Sequence, residues 1–297
     1  MGVTGDELDL TEFAQEIGSD GPVTVAGLAT RGGPVDGARP VMAPGGIVNF
    51  IPDEMTVRCG AGTPMEELDE ALAAHGQTLA IPPTGTVGGA LAVGESGVRR
   101  LGYGPVRDVL LQARYVNAAG EIVKAGGPTV KNVSGFDLCR LLVGSRGTLG
   151  FIGEVILRTR PLAAFEQWFT STLDPDRLLR ELYRPTAILW DGERSWVLLE
   201  GHRDDVAAQA GAHGLAPADP PDDIPSGGRW SLPPSELAAL VGTGRFVAEV
   251  GVGVVHHEHP APERSVDPAV IELHRRLKAR FDPTGRLNPG LDVLAIR

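Results

Sequence analysis

The 297-residue sequence has few of the residues that define several common protein classes. It contains only 2 cysteines, Cys59 and Cys139, and neither belongs to a C-x-x-C pair. Disulfide frameworks, zinc sites and iron–sulfur clusters need more thiols at closer spacing, so we expect none of them within this chain. The two cysteines are therefore predicted to be buried thiols in a reducing cytoplasm.

Long apolar runs and an excess of positive charge are also missing. No run of about 18 apolar residues occurs, so the sequence predicts no membrane span. The first ten residues are acidic, which is not typical of a secretory signal. The formal net charge is −11, which argues against nucleic acid as a partner. We expect a cytoplasmic protein whose association with a membrane, if any, depends on its partners.

Two nucleotide-binding motifs are absent. No G-x-G-x-x-G follows a strand and precedes a helix, and no G-x-x-x-x-G-K-[ST] occurs, so neither a nicotinamide Rossmann fold nor a P-loop is predicted. The chain is nevertheless rich in glycine, with 40 in all, and many lie in four short loops between residues 85 and 161. Such loops indicate either a close approach of backbone to a ligand such as a dinucleotide diphosphate or ordinary tight turns.

The glycine loops resemble those of a flavin-binding family. The matching segments are 61–68, 81–90, 103–108 and 141–150, and residues 277–290 resemble the closing helix and tail of the same family. Residues 60–161 thus resemble the FAD-binding domain of the vanillyl-alcohol-oxidase type, also called PCMH-type. Within that family, segments 97–108 and 126–137 are most similar to the FAD-binding subunit of bacterial glycolate oxidase.

The resemblance implies an α+β fold in three parts. Residues 1–161 are expected to form the PCMH-type FAD-binding domain, 162–260 a shortened antiparallel-sheet cap or substrate domain, and 261–297 a C-terminal helix and tail that return to the FAD domain. The residue pattern also predicts a helix that begins with a capping box at Thr63–Glu66 with Pro64 as its first residue. Further predictions are a βαββα order over 165–213, a long apolar strand over 246–256 and an amphipathic helix over 268–281.

The expected cofactor is non-covalent FAD, because residues 30–37 and 85–104 contain neither histidine nor cysteine. In the family, the first glycine loop grips the diphosphate. Pro34 follows Gly33 here and removes one backbone donor, for which Arg31 is expected to compensate in part. The cofactor-binding residues implied by the resemblance are Arg31, Gly32, Gly33, Pro82, Pro83, Gly85, Thr86, Val87, Gly88, Gly89, Gly94, Ser96, Gly97, Gly102, Tyr103, Gly104, Arg107, Asp108, Gly147, Thr148, Gly150, Ile152 and Asn288.

Catalytic residues are not identified by the sequence. The only clustered candidates, His256 and His257, lie in a His-His-Glu-His run at the end of a predicted strand. Successive residues of a strand point to opposite faces, so the two side chains cannot enter the same pocket. His257 and His259 share a face, but two ligands make no specific metal site, and no metal is predicted. A structural, a substrate-facing and a metal-binding role all stay open.

The resemblance implies an FAD-dependent oxidoreductase subunit of a glycolate oxidase-like complex, which oxidises a small 2-hydroxy acid or relays its electrons. Its expected partners are a larger flavin-type dehydrogenase subunit and an iron–sulfur subunit. The short cap and the altered first loop favour an alternative, a non-catalytic interaction subunit that supports a larger paralogous dehydrogenase. A third hypothesis, an enolpyruvyl reductase of cell-wall synthesis, is disfavoured by the tail at 288–290. Residues 247–255, Leu273 and Leu277 are either partner surface or core.

Overall fold

A computed structural model describes residues 7–127, 137–263 and 265–294. The chain divides into two units, the first containing Met1–Ser96, Pro105–Leu162 and Val266–Ile296, and the second containing Gly97–Gly104 and Ala163–Ser265. Residues 97–104, which the sequence analysis assigned to the FAD-binding domain, thus belong to the second unit. Of the predicted motif at 126–137, residues 128–136 lie outside the described residues.

Helices and strands alternate along both units. The helices are α1 (Thr11–Ile17), α2 (Met65–Ala73), α3 (Val87–Val93), α4 (Arg100–Tyr103), α5 (Leu138–Leu142), α6 (Pro175–Glu181), α7 (Arg203–Ala212) and α8 (Pro268–Phe281). The strands are β1 (Val23–Ala26), β2 (Arg39–Met42), β3 (Ile47–Ile51), β4 (Thr56–Gly60), β5 (Gln77–Thr78), β6 (Leu110–Val116), β7 (Ile122–Gly126), β8 (Phe151–Arg158), β9 (Arg160–Pro161), β10 (Phe165–Ser171), β11 (Ala187–Trp190), β12 (Ser195–Gly201), β13 (Ala216–Pro217), β14 (Gly228–Ser231), β15 (Phe246–Glu249) and β16 (Val254–His257).

The first unit is built on an antiparallel sheet in the order β3-β4-β8-β6-β7. Its central strand β8 is buried on both faces up to Leu157, and its buried residues are apolar except for Glu154, whose carboxylate accepts from Arg58 at 2.9 Å. Apolar residues of α2, α3 and α5 pack against this sheet, while α1 contributes to a second cluster that includes Phe151. A short parallel pair, β1 and β2, lies beside that second cluster.

The predicted capping box of α2 is wrong. Pro64 precedes the helix with extended backbone, at φ −59° and ψ 135°, and no side chain caps the helix. The buried Thr63 hydroxyl instead donates to the carbonyl oxygen of Gly60 at 2.7 Å and accepts from the backbone N–H of Gly46 at 2.9 Å. The capping box does not form, because Thr63 makes these contacts instead. They arise where the backbone around Gly60 packs directly against the preceding loop.

The described residues of the second unit form an antiparallel sheet with strands of unequal length, in the order β13-β10-β12-β11-β15-β16-β14. The predicted βαββα order is confirmed as β10, α6, β11, β12 and α7, and the two helices pack on one face of the sheet. The predicted long strand over 246–256 is wrong, because the chain turns back between β15 and β16. Gly251 and Gly253 adopt φ of +78° and +79° at this turn, conformations that glycine tolerates without strain.

Candidate functional site

The first unit contains a cleft formed by several segments of its chain. They include β1 and the loop after it, the end of β2, the residues that follow β4, helix α3, the loop between α5 and β8, and the tail that follows α8. Among the described residues that line it, the charged ones are Arg31 and Arg146, and there is no carboxylate, histidine or cysteine. The cleft therefore combines apolar walls with a positive charge balance, which suits an anionic ligand.

Glycines in the cleft have two different roles. A Cβ on Gly88 would lie 2.9 Å from Ala61 Cβ and 3.0 Å from its carbonyl oxygen, so Gly88 allows α3 to pack against the end of β4. A Cβ on Gly33 would meet no atom within 4 Å, and one on Gly89 would meet only Thr86 Oγ1, at 3.1 Å. Gly33 therefore keeps space open in the cleft, Gly89 lies close to the Thr86 hydroxyl that caps α3, and Gly88 is required by packing.

Arg31 is held at the rim by the neighbouring loop. Its guanidinium donates to the carbonyl oxygen of Thr84 at 2.6 Å and to the Thr84 hydroxyl at 2.9 Å, and its Nε lies 3.8 Å from a Glu95 carboxylate oxygen. Gly85 makes this arrangement possible, because its φ is +72° and a Cβ there would lie 2.7 Å from the Arg31 guanidinium. The side chain is thus fixed in place, and part of its charge is balanced by Glu95.

Two buried polar atoms in the wall lack a hydrogen-bond partner, Arg146 Nε and Asn288 Oδ1. The two residues contact each other, since Asn288 Nδ2 donates to the Arg146 carbonyl oxygen at 2.5 Å. Both also have left-handed backbone, with φ of +52° and +46°, a conformation that is uncommon for residues other than glycine. Buried polar atoms without partners are rare in native proteins, so they indicate a ligand or an ordered water at this wall.

The tail that carries Asn288 is fastened to the first unit by buried polar contacts. The Asp282 carboxylate accepts from Lys278 Nζ at 2.6 Å and from the backbone N–H of Leu287 at 2.8 Å. Burial raises the pKa of Asp282, but the Lys278 hydrogen bond and the backbone donors outweigh it and hold the pKa below its usual value. Arg286 adds bonds to several carbonyl oxygens between residues 17 and 21.

Known protein families match two stretches of the chain, each of which contributes residues to the cleft. Residues 42–126 match the FAD binding domain family. The chain contains an FAD-binding domain. Residues 235–291 match the C-terminal domain of FAD linked oxidases, a stretch that includes α8 and Asn288 of the tail. The family resemblance predicted from the glycine loops is confirmed, and so is FAD as the cofactor.

Curated relatives of this FAD-binding chain are similar over part of their length. The glycolate oxidase subunit GlcE of Escherichia coli is 37% identical over 161 residues, which cover 51% of this chain and 46% of the relative. A D-lactate dehydrogenase of Archaeoglobus fulgidus is 44% identical over 114 residues, 37% of this chain and 25% of the relative. The chain thus matches less than half the length of each of these relatives.

Solved structures confirm the fold. An alkyldihydroxyacetonephosphate synthase superimposes with a TM-score of 0.64 over 94% of this chain and 72% of its own, at 16% identity. A berberine bridge enzyme variant superimposes with a TM-score of 0.50 over 68% of this chain and 46% of its own, at 15% identity. The predicted α+β fold with a PCMH-type FAD-binding domain is therefore confirmed.

The cleft fits FAD in three respects. Its positive charge balance suits the negative diphosphate, the open positions at Gly32 and Gly33 leave room for a ligand, and Arg146 Nε and Asn288 Oδ1 offer one unused donor and one unused acceptor. Arg31, Gly32, Gly33, Gly89, Arg146 and Asn288 are the residues that would hold the cofactor. Bound FAD supplies the capacity to accept two electrons from a substrate, and these residues supply its binding and orientation.

The structure brings about half of the predicted cofactor residues to the cleft. Those that line it are Arg31, Gly32, Gly33, Thr86, Gly88, Gly89, Gly147, Gly150, Ile152 and Asn288. Predicted residues of the first unit that are not in its lining are Pro82, Pro83, Gly85, Val87, Gly94, Ser96, Arg107, Asp108 and Thr148. Gly97, Gly102, Tyr103 and Gly104 belong to the second unit. The assignment of all these residues to FAD stays a prediction.

Several predicted residues outside the lining have other contacts. Ser96 Oγ accepts from the backbone N–H of Val106 at 3.1 Å, and Thr148 Oγ1 donates to the Ser145 carbonyl oxygen at 2.7 Å. Asp108 lies 3.3 Å from the Arg140 guanidinium, and both side chains are exposed. A Cβ on Gly94 would lie 3.1 Å from Gly144 Cα, so this glycine lets two loops touch. These residues stabilise their own loops through these contacts.

Sequence reasoning missed part of the cleft wall. Residues 24–30, Ala61, Gly62 and Arg146 also line it. Arg146 lies inside the recognised segment 141–150, but the resemblance concerned its glycines and not its charged residue. A signal was present, since an arginine between two glycines of a loop that resembles a cofactor site is a candidate for contact with an anion.

His257 has a structural role within the second unit. Its ring is fully buried, stacks on Trp230 with centroids 4.0 Å apart, and is bonded through both nitrogens. Nδ1 accepts from the backbone N–H of His259 at 2.9 Å, so Nε2 carries the proton and lies 3.1 Å from the Thr243 hydroxyl. Burial lowers the pKa of His257, and His259 lowers it further. The structural role weighed in the sequence analysis is the one that these contacts favour.

His256 differs from its neighbour, because its Nε2 lies 2.9 Å from a carboxylate oxygen of the buried Glu249. The other Glu249 carboxylate oxygen is buried without a hydrogen-bond partner among the described residues. A carboxylate on one imidazole nitrogen orients the ring. His256 therefore stays a candidate for proton transfer, whereas no group of three or more potential ligands for a metal occurs among the described residues.

The segment 97–104 is bound tightly within the second unit. Arg99 donates to Glu166 at 2.8 Å and to Glu200 at 2.6 Å, and the Tyr103 hydroxyl donates to Glu200 at 2.9 Å. The backbone N–H of Gly102 donates to the Thr186 carbonyl oxygen at 3.0 Å. Two of these donors, the Tyr103 hydroxyl and the Gly102 N–H, belong to residues that the sequence analysis assigned to the cofactor.

Proposed function

We propose that this chain is the FAD-binding subunit of a dehydrogenase complex of the glycolate oxidase kind, which oxidises a small 2-hydroxy acid or relays the electrons of that oxidation. The observation that carries the proposal is the cleft of the first unit, with its two arginines, open glycine positions and unpaired polar atoms, in a chain 37% identical to a glycolate oxidase subunit over 161 residues. A small hydroxy acid is the substrate class in the names of both curated relatives described above.

FAD binds this subunit without a covalent bond. The described residues that line the cleft include no histidine or cysteine, the side chains that form covalent links to flavin in this family. Acid precipitation of the purified chain is expected to release all yellow colour into the supernatant. Colour that stays in the pellet would contradict non-covalent binding.

The complex contains two other kinds of subunit, a larger flavin-type dehydrogenase and an iron–sulfur protein. The relatives include glycolate oxidase subunits with two different names, GlcE and GlcD, which supports a complex of several subunits. An iron–sulfur cluster needs several thiolates. This chain has only 2 cysteines, Cys59 and Cys139, which are too few to hold a cluster, so the cluster belongs to a separate subunit.

A second hypothesis is that this subunit keeps the flavin fold but takes no part in the oxidation. The contacts of His257 favour it, since one of the two catalytic candidates is used to pack the second unit. The lining of the first-unit cleft also offers no group suited to proton transfer, because it lacks histidine and carboxylate. Under this hypothesis, the larger subunit performs the whole reaction.

A dye-linked assay separates the two hypotheses. The chain alone and the co-expressed complex are assayed with glycolate and D-lactate and an artificial electron acceptor. We expect little turnover by the chain alone and rapid turnover by the complex. The decisive variant is Gly89→Asp, which places a carboxylate in the cleft of this subunit only. Loss of turnover by the variant complex supports electron transfer through this subunit, and unchanged turnover in a complex that lacks this FAD supports the non-catalytic role.

Free-standing activity would overturn the subunit proposal. If the purified chain alone oxidises either acid as fast as the complex does, it is an independent oxidase. The oligomeric state is measured in the same experiment by size-exclusion chromatography, so that a complex with a host protein is not mistaken for the isolated chain.

A further inference from the structure

We propose that Arg146 and Asn288 together bind the edge of one heterocycle of the cofactor, an edge at which a hydrogen-bond donor and an acceptor lie side by side. The two residues hold the only polar side-chain atoms in the described cleft lining that are buried without a partner. The inference rests on the FAD-binding part of the proposed function and not on the substrate or the partner subunits.

The orientation of the Asn288 amide is determined by its neighbour. Nδ2 donates to the Arg146 carbonyl oxygen at 2.5 Å, and a carbonyl oxygen can only accept, so the amide cannot be turned over. Oδ1 is therefore the atom without a partner, and it requires a donor. A diphosphate has no donor at neutral pH, which excludes that part of FAD as the group bound by Asn288.

Arg146 supplies the donor that complements the acceptor of Asn288. Its Nε is a donor only, it is buried, and it has no acceptor within the described chain. The backbone holds the residue in place, since its N–H donates to the Ala92 carbonyl oxygen at 2.8 Å and its carbonyl accepts from Asn288. One donor and one acceptor thus belong to two residues in direct contact, on one wall of the cleft.

The local backbone is adapted to this contact. Arg146 and Asn288 both have positive φ, a conformation that costs a residue with a Cβ free energy unless the surroundings hold it. Gly147 completes the arrangement, because a Cβ there would lie 2.8 Å from Asn288 Nδ2. The chain therefore keeps two strained residues and a glycine where two segments distant in sequence meet.

Two rings of FAD have an edge of the required kind. Adenine has its amino group next to a ring nitrogen that accepts, and isoalloxazine has its N3–H between two carbonyl oxygens. The neighbouring lining residues Val25, Phe151, Ile152 and Leu291 are apolar, which suits a flat ring better than the hydroxylated chains of FAD. The shared chemistry is an edge with adjacent donor and acceptor, and the experiment distinguishes the two rings.

Two substitutions test the proposal in the full chain stripped of FAD. Arg146→Lys keeps the positive charge but removes the Nε donor, and Asn288→Gly removes the acceptor without adding strain at positive φ. Each is expected to weaken FAD binding about tenfold, as judged by quenching of flavin fluorescence on titration. The matched control Arg140→Lys changes an exposed arginine outside the cleft lining and should leave the affinity unchanged.

Cofactor analogues identify the ring in the unmodified chain, where no variant can fail to fold. FAD with hypoxanthine in place of adenine reverses the adenine edge, and FAD methylated at N3 removes the isoalloxazine donor. We expect one of the two analogues to bind about tenfold more weakly than FAD, and the Asn288→Gly chain to lose most of that discrimination. The weakened analogue names the ring.

Three outcomes overturn the inference. They are equal binding of FAD and both analogues by the unmodified chain, an Arg146→Lys chain with unchanged affinity, or an Asn288→Gly chain with unchanged affinity. In each case water satisfies the buried atoms instead. Absence of any FAD binding by the unmodified chain is a different result, because it contradicts the proposed function itself.

Discussion

The cleft wall of the first unit and the surroundings of His257 in the second unit differ in how completely their buried polar groups are hydrogen-bonded. The cleft wall leaves a donor on Arg146 and an acceptor on Asn288 without partners. The buried ring of His257 has a partner on each nitrogen and an indole against its face. Because an unpaired buried polar atom is costly, such atoms in the wall of a cleft indicate a position where a ligand or a water completes the structure. A histidine whose bonds are all made is part of the core, even in a run of histidines.

Glycine shows the same contrast. In the cleft of the first unit, Gly33 has space where a Cβ would be, whereas Gly251 and Gly253 of the second unit adopt positive φ at the turn between β15 and β16. Gly33 leaves room for a ligand, and Gly251 and Gly253 reverse the chain. A glycine count alone does not separate these roles.

The largest effect is expected from Gly89→Asp, which should abolish retention of FAD, with affinity about a hundredfold lower. The added carboxylate lies in a cleft suited to an anion, while Asp is tolerated in the first turn of a helix such as α3. Flavin absorbance per chain and the thermal melt are measured together. The control is Gly211→Asp on α7 of the second unit, where a side chain meets no atom within 4 Å. Equal flavin content in the Gly89→Asp and unmodified chains would contradict the cleft as the FAD site.

Substitution of a glycine required by packing should lower the thermal stability as well as the flavin content. Gly88→Ala forces a Cβ to within 2.9 Å of Ala61 Cβ, so the melting temperature of the first unit should fall along with flavin content. If Gly88→Ala melts like the unmodified chain, the distinction between packing and ligand-facing glycines is wrong.

Asp282→Asn is expected to lower the free energy of unfolding of the first unit by about 2 kcal/mol at neutral pH, because it removes the charge that bonds Lys278. The native pKa of Asp282 is lowered, so its contribution is present above the ordinary value near 3.8 and is lost as pH falls through the native pKa. Urea unfolding of both chains at about pH 6 and about pH 3 should therefore give a larger difference at the higher pH. An equal or larger difference at the lower pH would contradict the role of the charge.

His257→Gln should destabilise the second unit by about 1 kcal/mol and leave flavin content unchanged, since it loses the stacked ring and one ring nitrogen. The native pKa of His257 lies below its usual value, so the unfolded chain binds the proton more readily. Stability is then complete above the ordinary pKa and decreases as pH falls below it. Thermal melts between about pH 8 and about pH 5 should show this slope in the unmodified chain and a weaker one in the variant. The exposed His202→Gln serves as the control, and a slope that is equal in all three chains would rule out His257 as its source.

The smallest effect is expected from Leu273→Lys on α8, which should change the free energy of unfolding by less than about 0.5 kcal/mol. Leu273 is 56% exposed, and no residue of α8 is fully buried. By contrast, the apolar residues of β15 and β16, once weighed as partner surface, are buried in the core of the second unit. A larger loss for Leu273→Lys in the isolated chain would show that this face is covered in solution, and size-exclusion chromatography would then show whether a second copy covers it.

Local patterns predicted many elements well. Helix α8 begins and ends where the amphipathic pattern over 268–281 places it, and the βαββα order of the second unit follows from apolar periodicity in the same way. The two failures, at Thr63 and between β15 and β16, have a common reason. In each case a short pattern was compatible with two structures, and contacts with distant backbone or a glycine turn decided between them.

The sequence by itself identified the family resemblance and the cofactor, because the glycine loops form local patterns that can be recognised without a structure. Only the tertiary structure showed that Arg146 and Asn288, 142 residues apart, contact each other and leave a donor and an acceptor unpaired. It also distinguished His257, which is fully bonded, from His256, which lies against Glu249. Hydrogen-bond satisfaction depends on every group that surrounds an atom in space, and those groups come from segments that no local pattern connects.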